Sequence, residues 1–220
     1  MRGIKPREKV NRTWSPELGY AIGLLATDGC LSSDGRHLDL TSKDREQLKN
    51  FLFCLGIKNR IGRKISGYSG KFYPHVQFGD VVFYRFLMDI GLTPAKSKTL
   101  GALDIPQKYF FDFLRGAFDG DGTFFSYWDP RWKSSFMFYT VFISASRRHI
   151  DWMRNELRER VSTNGHITRD VRKSTYQLKY AKRESLKILR KMYYNRGVIC
   201  LSRKRLKIER ALGRVGLSLF

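Results

Sequence analysis

The chain has 220 residues, 42% of them apolar, and 42 Lys+Arg against 20 Asp+Glu give it a formal charge of +22. That apolar content can bury a core, which excludes general disorder; no apolar run approaches the ~20 residues that cross a bilayer, and the first residues lack the apolar stretch of a signal peptide, so a soluble intracellular protein is expected. Both halves share the positive excess, and a polyanion, nucleic acid before any anionic membrane surface, is the expected partner that relieves it.

Residues 1–14 read as a basic extension. Ser15-Pro16 then starts a helix, with Ser15 able to accept from a free backbone N–H and Pro16 at the first helical position, and the helix stops at Asp28-Gly29. A hairpin follows, turning at Ser32-Ser-Asp-Gly35 into the alternating strand His37–Thr41. Apolar residues at helical spacing (Leu48, Phe51, Leu52, Leu55) predict a helix over 44–55. Strands Ile57–Ile65 and Phe72–Phe78 are expected around a turn at 67–70, then a helix over 80–90.

Residues 93–104 read as a linker between a first unit at 15–92 and a second at 105–200. The second opens at Ile105-Pro106 and repeats the plan: helix to Asp121-Gly122, an aromatic strand from Thr123 to Trp128, a turn through Asp129-Pro130, a strand Phe136–Ser144, a helix over 148–160, strands His166–Val171 and Thr175–Tyr180, and a helix over 182–193. Each unit reads α-β-β-α-β-β-α. A basic helix over 202–212, within a tail at 201–220, has no counterpart in the first unit.

The repeat is visible in residues. Leu18-Gly-Tyr-Ala-Ile-Gly-Leu-Leu-Ala-Thr-Asp-Gly29 matches Phe111-Asp-Phe-Leu-Arg-Gly-Ala-Phe-Asp-Gly-Asp-Gly122 at an offset of 93, which sets Gly23 on Gly116, Asp28 on Asp121 and Gly29 on Gly122. The second hairpin is longer, so Thr41 is matched with Ser144. Small residues four apart, Gly23 and Thr27 in one helix and Gly116 and Gly120 in the other, place a flat stripe on each and predict close helix packing. Both helix ends then arrive together. Asp28 and Asp121 would repel each other there unless a cation lies between them, and a hard divalent ion such as Mg²⁺, with Mn²⁺ as a substitute, takes carboxylate, water and phosphate oxygens. In a basic setting that describes a phosphodiesterase centre. A single Asp-Gly pair would read only as a helix-ending turn; two in matched contexts do not. Asp119, with no acid at the matching Ala26, reads as structural.

These two segments resemble the LAGLIDADG motif of homing endonucleases, in the form that carries two motifs in one chain, and the likeness of plan covers about Ser15 to Leu212. The resemblance implies an α+β fold of two pseudo-twofold halves, whose four-stranded antiparallel sheets form a saddle in the DNA major groove. It implies a monomer that makes a metal-dependent double-strand break in a long asymmetric site, and an intron-encoded origin. Asp28 and Asp121 would bind the metals, with the adjoining Gly29 and Gly122, and a lysine beyond the last strand of each half, Lys96 and Lys204, would approach the scissile phosphates, with Lys98 and Arg203 as alternatives. A polar residue after the second strand orients water in such proteins; Ser42 fits in the first half, Ala145 or Ser146 in the second. The first motif has Ala26-Thr27 where an acid-small pair is usual. The alternatives within the resemblance are an intron maturase, which would bind its own intron RNA, and a catalytically silent DNA-binding protein.

If Leu38 and Leu40 point to the core, His37, Asp39 and Thr41 point to DNA; if Val76, Phe78, Leu178 and Tyr180 point inward, His75, Gln77, Gln177 and Lys179 do. Ser32 and Thr140 join this set, Arg60, Lys64, Arg172 and Lys173 suit phosphates, and the long hairpin with Ser126, Trp128, Arg131 and Lys133 would reach further along the site. Phe110, Phe111, Phe113, Phe118, Tyr139, Tyr176 and Tyr180 read as core, and His37 and His75 as strand residues rather than metal ligands. Cys30, Cys54 and Cys200 lack metal or disulfide spacing and read as reduced thiols, at least one of them buried.

Overall fold

A computed structural model describes residues 8–65 and 70–220. Helix α1 (Pro16–Thr27) starts as its sequence dictates, Ser15 Oγ accepting from the Leu18 N–H with Pro16 in the first turn. Around it come β1 (Gly29–Leu31), β2 (His37–Thr41), α2 (Arg45–Leu55), β3 (Gly62–Ile65), β4 (Phe72–Gly79) and α3 (Val81–Asp89). The second unit comprises α4 (Phe110–Gly120), β5 (Thr123–Trp128), β6 (Phe136–Ser144), α5 (Arg147–Val161), β7 (His166–Asp170), β8 (Thr175–Ala181) and α6 (Lys182–Met192), and α7 (Ser202–Gly213) follows. The strands form two antiparallel four-stranded sheets of the same order, β1-β2-β4-β3 and β5-β6-β8-β7. No helix among the described residues is long and apolar enough to cross a membrane.

The two units meet at α1 and α4. Every residue of α1 from Leu18 to Ala26 is buried, because one face packs on its own sheet and the other on α4. The approach is backbone to backbone: a Cβ on Gly23 would stand 2.1 Å from the Phe113 carbonyl oxygen, and one on Gly116 2.1 Å from that of Tyr20. A Cβ on Gly120 would stand 2.0 Å from Thr27 Oγ1. Only glycine allows helices to lie this close. Each sheet turns one face to its helices. Leu31, Leu38, Leu40, Val76 and Phe78 pack under α2 and α3, and Phe124, Phe138, Phe142, Leu178 and Tyr180 under α5 and α6, in one continuous core through the central pair.

Three expectations change. Strand β3 begins at Gly62 rather than Ile57, since the Asn59 side chain donates to the Gln77 carbonyl in place of a backbone rung. The hairpin offset is 102, because Cys30 pairs with Asp39 while Thr123 pairs with Val141; Ser42 therefore corresponds to Ser144, not Thr41 to Ser144. The cysteines are free, Cys30 exposed and the other two half-buried, so none is fully buried. The turn expected at 67–70 and the start of the basic extension lie largely outside the described residues. Lys9 and Val10 are described, and their N–H groups donate to Asp80 Oδ2 at the start of α3.

One buried ion pair was invisible in the sequence. Arg115, 1% exposed in the middle of α4, donates to Asp112 Oδ1 and to the carbonyls of Met192 and Ile199, and Tyr20 and Tyr194 lie against its guanidinium. It ties the segment after α6 to the central helices, so α7 returns to the helix ends.

Candidate active site and nucleic-acid interface

Each helix of the central pair ends at its aspartate, whose N–H closes the last turn on Leu24 and Ala117 respectively. The glycine after each aspartate is required by space: a Cβ on Gly29 would meet Leu25 Cα at 2.6 Å, and one on Gly122 the Phe118 ring at 2.6 Å. The chain therefore turns sharply into β1 and β5 and leaves both carboxylates at one end of the pair. A Cβ on Gly120 would lie 3.3 Å from Asp28 Oδ2, so that carboxylate sits against the last turn of α4.

Burial first, and then the charge of Asp121, raise the Asp28 carboxyl from 3.8 to about 6, against the opposing effects of Gln47, Lys204 and Lys96. Asp121 is also raised by desolvation, with the same two lysines holding it down. Among the described residues no hydrogen bond or ion pair engages the Asp121 carboxylate. Two carboxylates that burden each other, with oxygens uncommitted, form a donor set of hard oxygens suited to a divalent cation. The two glycine carbonyls meet the lysines. Lys96 Nζ donates to the Gly29 carbonyl; Lys204 Nζ donates to that of Gly122 at 2.7 Å and to those of Phe118, Asp119 and Gly120. Each glycine carbonyl thus accepts one lysine N–H, and each keeps a second lone pair beside the carboxylates.

Both lysines are buried, 6% and 9% exposed, and burial lowers their pKa values, that of Lys204 to about 8. They cap the carbonyl ends of the helix pair, where cations are favoured, and lie close enough to act on both aspartates. Lys98 is exposed, and Arg203 is committed to Asp44, so neither takes this place.

Gln47, in the first turn of α2, escaped the sequence reading. Its Nε2 donates to Asp28 Oδ2 at 2.6 Å, while its Oε1 accepts from Ser42 Oγ at 2.9 Å. Ser42 also accepts from the Asp44 N–H, and Ser144 accepts the same bond from Ser146, so the serine match is Ser144 and not Ala145 or Ser146. The residue matching Gln47 is His149. It turns away, stacks on Trp152 and donates from Nδ1 to the Gly101 carbonyl, because residues 100–101 of the linker dock on the start of α5. A cavity of about 760 Å³ opens beside Asp28, between Ser42, Gln47, Lys64, Gly120 and Arg203. Asp119 lies beneath, its Oδ2 accepting from the Tyr20 hydroxyl and the Leu201 N–H; it is 1% exposed and structural.

No family model and no curated protein matches the sequence. Solved structures do. The homing endonuclease I-WcaI bound to its DNA recognition sequence superposes with a TM-score of 0.61 at 14% identity, over 94% of this chain and 95% of that one. This is the LAGLIDADG fold. I-DmoI in complex with DNA and Ca is similar at TM-score 0.56 and 12% identity, over 88% and 97%, and the N-terminal LAGLIDADG domain of WhiA at 0.54 and 17%, over 93% and 92%. The chain spans 65% of full-length WhiA from Thermatoga maritima, at TM-score 0.56 and 17% identity over 96% of its own length.

In this LAGLIDADG fold each sheet turns its second face away from its helices. On the first sheet, His37, Asp39, Thr41, Lys64, His75 and Gln77 share that face, opposite to Leu38, Leu40, Val76 and Phe78. Asp39 is 7% exposed, covered by His75 at 2.9 Å, Thr41 at 2.9 Å and Lys64 at 3.4 Å, so it holds its neighbours in place and does not itself reach outward. Ser32 and Arg60 adjoin this sheet in its loops. On the second sheet Gln177 and Lys179 are outward, while Arg131, Lys133, Arg172 and Lys173 lie in its hairpin turns, Arg131 paired with Asp129.

Three assignments on the second sheet are wrong by one residue. Thr140 is fully buried and bonds Ser185 on α6. Ser126 pairs with the buried Phe138, and Trp128 packs on Phe136, which puts both on the helix side. Phe125, Tyr127 and Tyr139 take the outward positions instead, so Tyr139 is not core, whereas Tyr180 is. Run-together residues such as Thr123-Phe-Phe-Ser-Tyr-Trp128 carry no alternation from which the face could be read.

Proposed function

We propose that this chain is a metal-dependent endonuclease that cuts both strands of one long, asymmetric duplex DNA site as a monomer. The observation that carries the reading is the pair Asp28 and Asp121 at abutting helix ends, each beside a buried lysine, with two sheet faces turned away from the helices on a protein of charge +22. The solved neighbours bound to DNA support the substrate class, and Ca in the I-DmoI complex supports a divalent cation at such a centre.

Asp28 and Asp121 would hold the cation, Mg²⁺ with Mn²⁺ as a substitute. The cation supplies water activation and neutralises the charge that builds on the phosphate. The chain's own residues do the rest. Gln47 holds one Asp28 oxygen and leaves the other to the cleft; Lys96 and Lys204, fixed by carbonyls, keep positive charge where the scissile phosphates arrive. The outward strand residues hold the duplex, with His37, Thr41, His75, Gln77, Gln177 and Lys179 toward bases and Ser32, Arg60, Lys64, Arg131, Lys133, Arg172 and Lys173 toward its flanks and phosphates. Since His149, which matches Gln47, is turned to Gly101 and Trp152 instead of Asp121, the two strands are cut at unequal rates.

The test uses the sequence obtained by joining the DNA on either side of the reading frame as duplex substrate. Cleavage with Mg²⁺, lost in Asp28→Asn and in Asp121→Asn while DNA binding persists, supports the proposal. A duplex left intact with Mg²⁺ and with Mn²⁺ across pH 6–9, or cleavage that survives either substitution, refutes it.

A further inference from the structure

The register gives each outward position on one sheet a counterpart on the other, and the chemistry at those positions differs. His37, Asp39 and Thr41 on β2 correspond to Tyr139, Val141 and Ile143 on β6, by the same offset of 102 that aligns Asp39 with Val141. At these positions β2 carries hydrogen-bonding side chains, whereas β6 carries a tyrosine and two aliphatic residues, with Gln177 and Lys179 of β8 beside them on the same face. Strand β5 extends the contrast: it is six residues long against three for β1, and its outward residues Phe125 and Tyr127 are 36% and 42% exposed.

These rings form a single surface. Phe125 and Tyr139 stack with centroids 5.0 Å apart and planes 18° apart, and Tyr127 lies 6.2 Å from Tyr139 at 11°. Val141, beside them, is 1% exposed yet stands outside the continuous core, so it belongs to a second apolar layer on the outward face. Cross-strand stacking alone would stabilise a hairpin, but it leaves an exposed aromatic patch, and such patches mark contact surfaces.

If this face lies in a major groove, its ligand is defined by what that groove offers. Phe125 and Ile143 have no side-chain donor or acceptor, so they cannot read the polar edges of G, C or A, and Val141 lies beneath them, out of reach. The C5-methyl of thymine is the apolar group displayed there. We propose that the second sheet recognises thymine methyl groups, so that this half of the DNA site is thymine-rich, while the first sheet reads its half by hydrogen bonds. The inference rests on the DNA-reading role proposed above and adds the base chemistry of each half. Because β5 leaves the centre at Asp121 and its outward residues step about 6.8 Å apart, the thymines lie on the flank of the half-site, spaced by up to about two base pairs of 3.4 Å.

The test selects sites from a randomised DNA duplex library with the full chain in Ca²⁺, then replaces thymine by deoxyuridine in one half of the selected site at a time. Losing one buried methyl weakens binding by about fourfold, so replacing three in the thymine-rich half should weaken it more than tenfold, with little change from the same replacement in the other half. Phe125→Ser and Tyr139→His, the latter installing the first-sheet residue, should each reduce the difference between thymine and deoxyuridine duplexes; the wild-type measurement stands whether or not these variants fold. A selected site without thymine enrichment in either half, or one that binds equally well with deoxyuridine, overturns the inference and leaves the endonuclease reading intact. Selection of no duplex at all overturns both. A dimer that DNA does not dissociate and that Phe125→Ser makes monomeric also overturns it, since the patch would then be a seam between copies.

Discussion

Adding one methyl group at Gly116 should disrupt both the stability of the chain and its centre. The new Cβ would sit 2.1 Å from the Tyr20 carbonyl oxygen and 3.1 Å from Gly23 Cα, whereas carbon and oxygen approach no closer than about 3.3 Å in ordinary contact. Helices α1 and α4 must separate by roughly 1 Å, and the core of both units runs through them. Overpacking costs about 1–3 kcal/mol in general, and a clash with backbone on a central helix belongs at the upper end. At roughly 2–4 °C per kcal/mol for a chain of this size, Gly116→Ala should melt about 6–12 °C below wild type. Separation also moves Asp121 from Asp28, so cutting should fall by more than stability alone explains. Gly213→Ala is the control: no atom of the described residues lies within 4 Å of the Cβ position in α7, and alanine there should be neutral or stabilising by up to about 1 kcal/mol. Melting followed by circular dichroism, with cleavage measured well below either transition, decides the matter. If Gly116→Ala melts within about 2 °C of wild type and cuts at its rate, the close helix contact is not what positions the aspartates.

Arg115→Met should destabilise by about 3–5 kcal/mol, because it leaves Asp112 buried and without its cation; removing both in Arg115→Met/Asp112→Leu should recover part of the loss, and urea unfolding of a single variant that costs under about 1 kcal/mol would contradict this. Asp28 and Asp119 sit at about 6, raised chiefly by burial from 3.8, so between pH 4 and 6 the folded chain holds protons the unfolded chain has released, and their contribution to stability falls as pH rises through that window. Without divalent cation, wild type should therefore lose more stability from pH 5 to 7 than Asp28→Asn; equal losses in urea titrations argue against it. Added Mg²⁺ should raise the melting temperature of wild type at pH 7 and leave Asp28→Asn/Asp121→Asn unmoved, a shift in both placing the cation elsewhere. DNA affinity should fall by about 0.9 log units per log unit of salt for each phosphate neutralised, and a flat salt response would remove the backbone contacts from the account.

Much of the fold was legible because it depends on local steric rules. Ser15-Pro16 starts a helix in any context, Asp28-Gly29 and Asp121-Gly122 stop one, and glycines four apart serve mainly to let another backbone approach. The alternation in His37–Thr41 showed its inner face because leucine and polar residues differ strongly in their cost of burial. Repetition of the whole pattern at a fixed offset turned two unremarkable Asp-Gly pairs into a candidate centre.

What the sequence left open depends on which distant groups meet. Gln47 looked like any polar residue in a first helical turn; only the packing of α2 on α1 brings it to Asp28, and only the docking of residues 100–101 turns the matching His149 away. The burial of Arg115 and Asp119 depends on the return of the chain after α6, which no local pattern announces. On β5 and β6, where aromatic residues stand next to one another, burial energy favours either face almost equally, so pairing with β8 and the helices beneath it decided that Thr140 is core and Tyr139 is not. Short-range sterics wrote the helix pair and its aspartates into the sequence, whereas the asymmetry between the two halves comes from long-range packing that chose between faces of similar hydrophobicity.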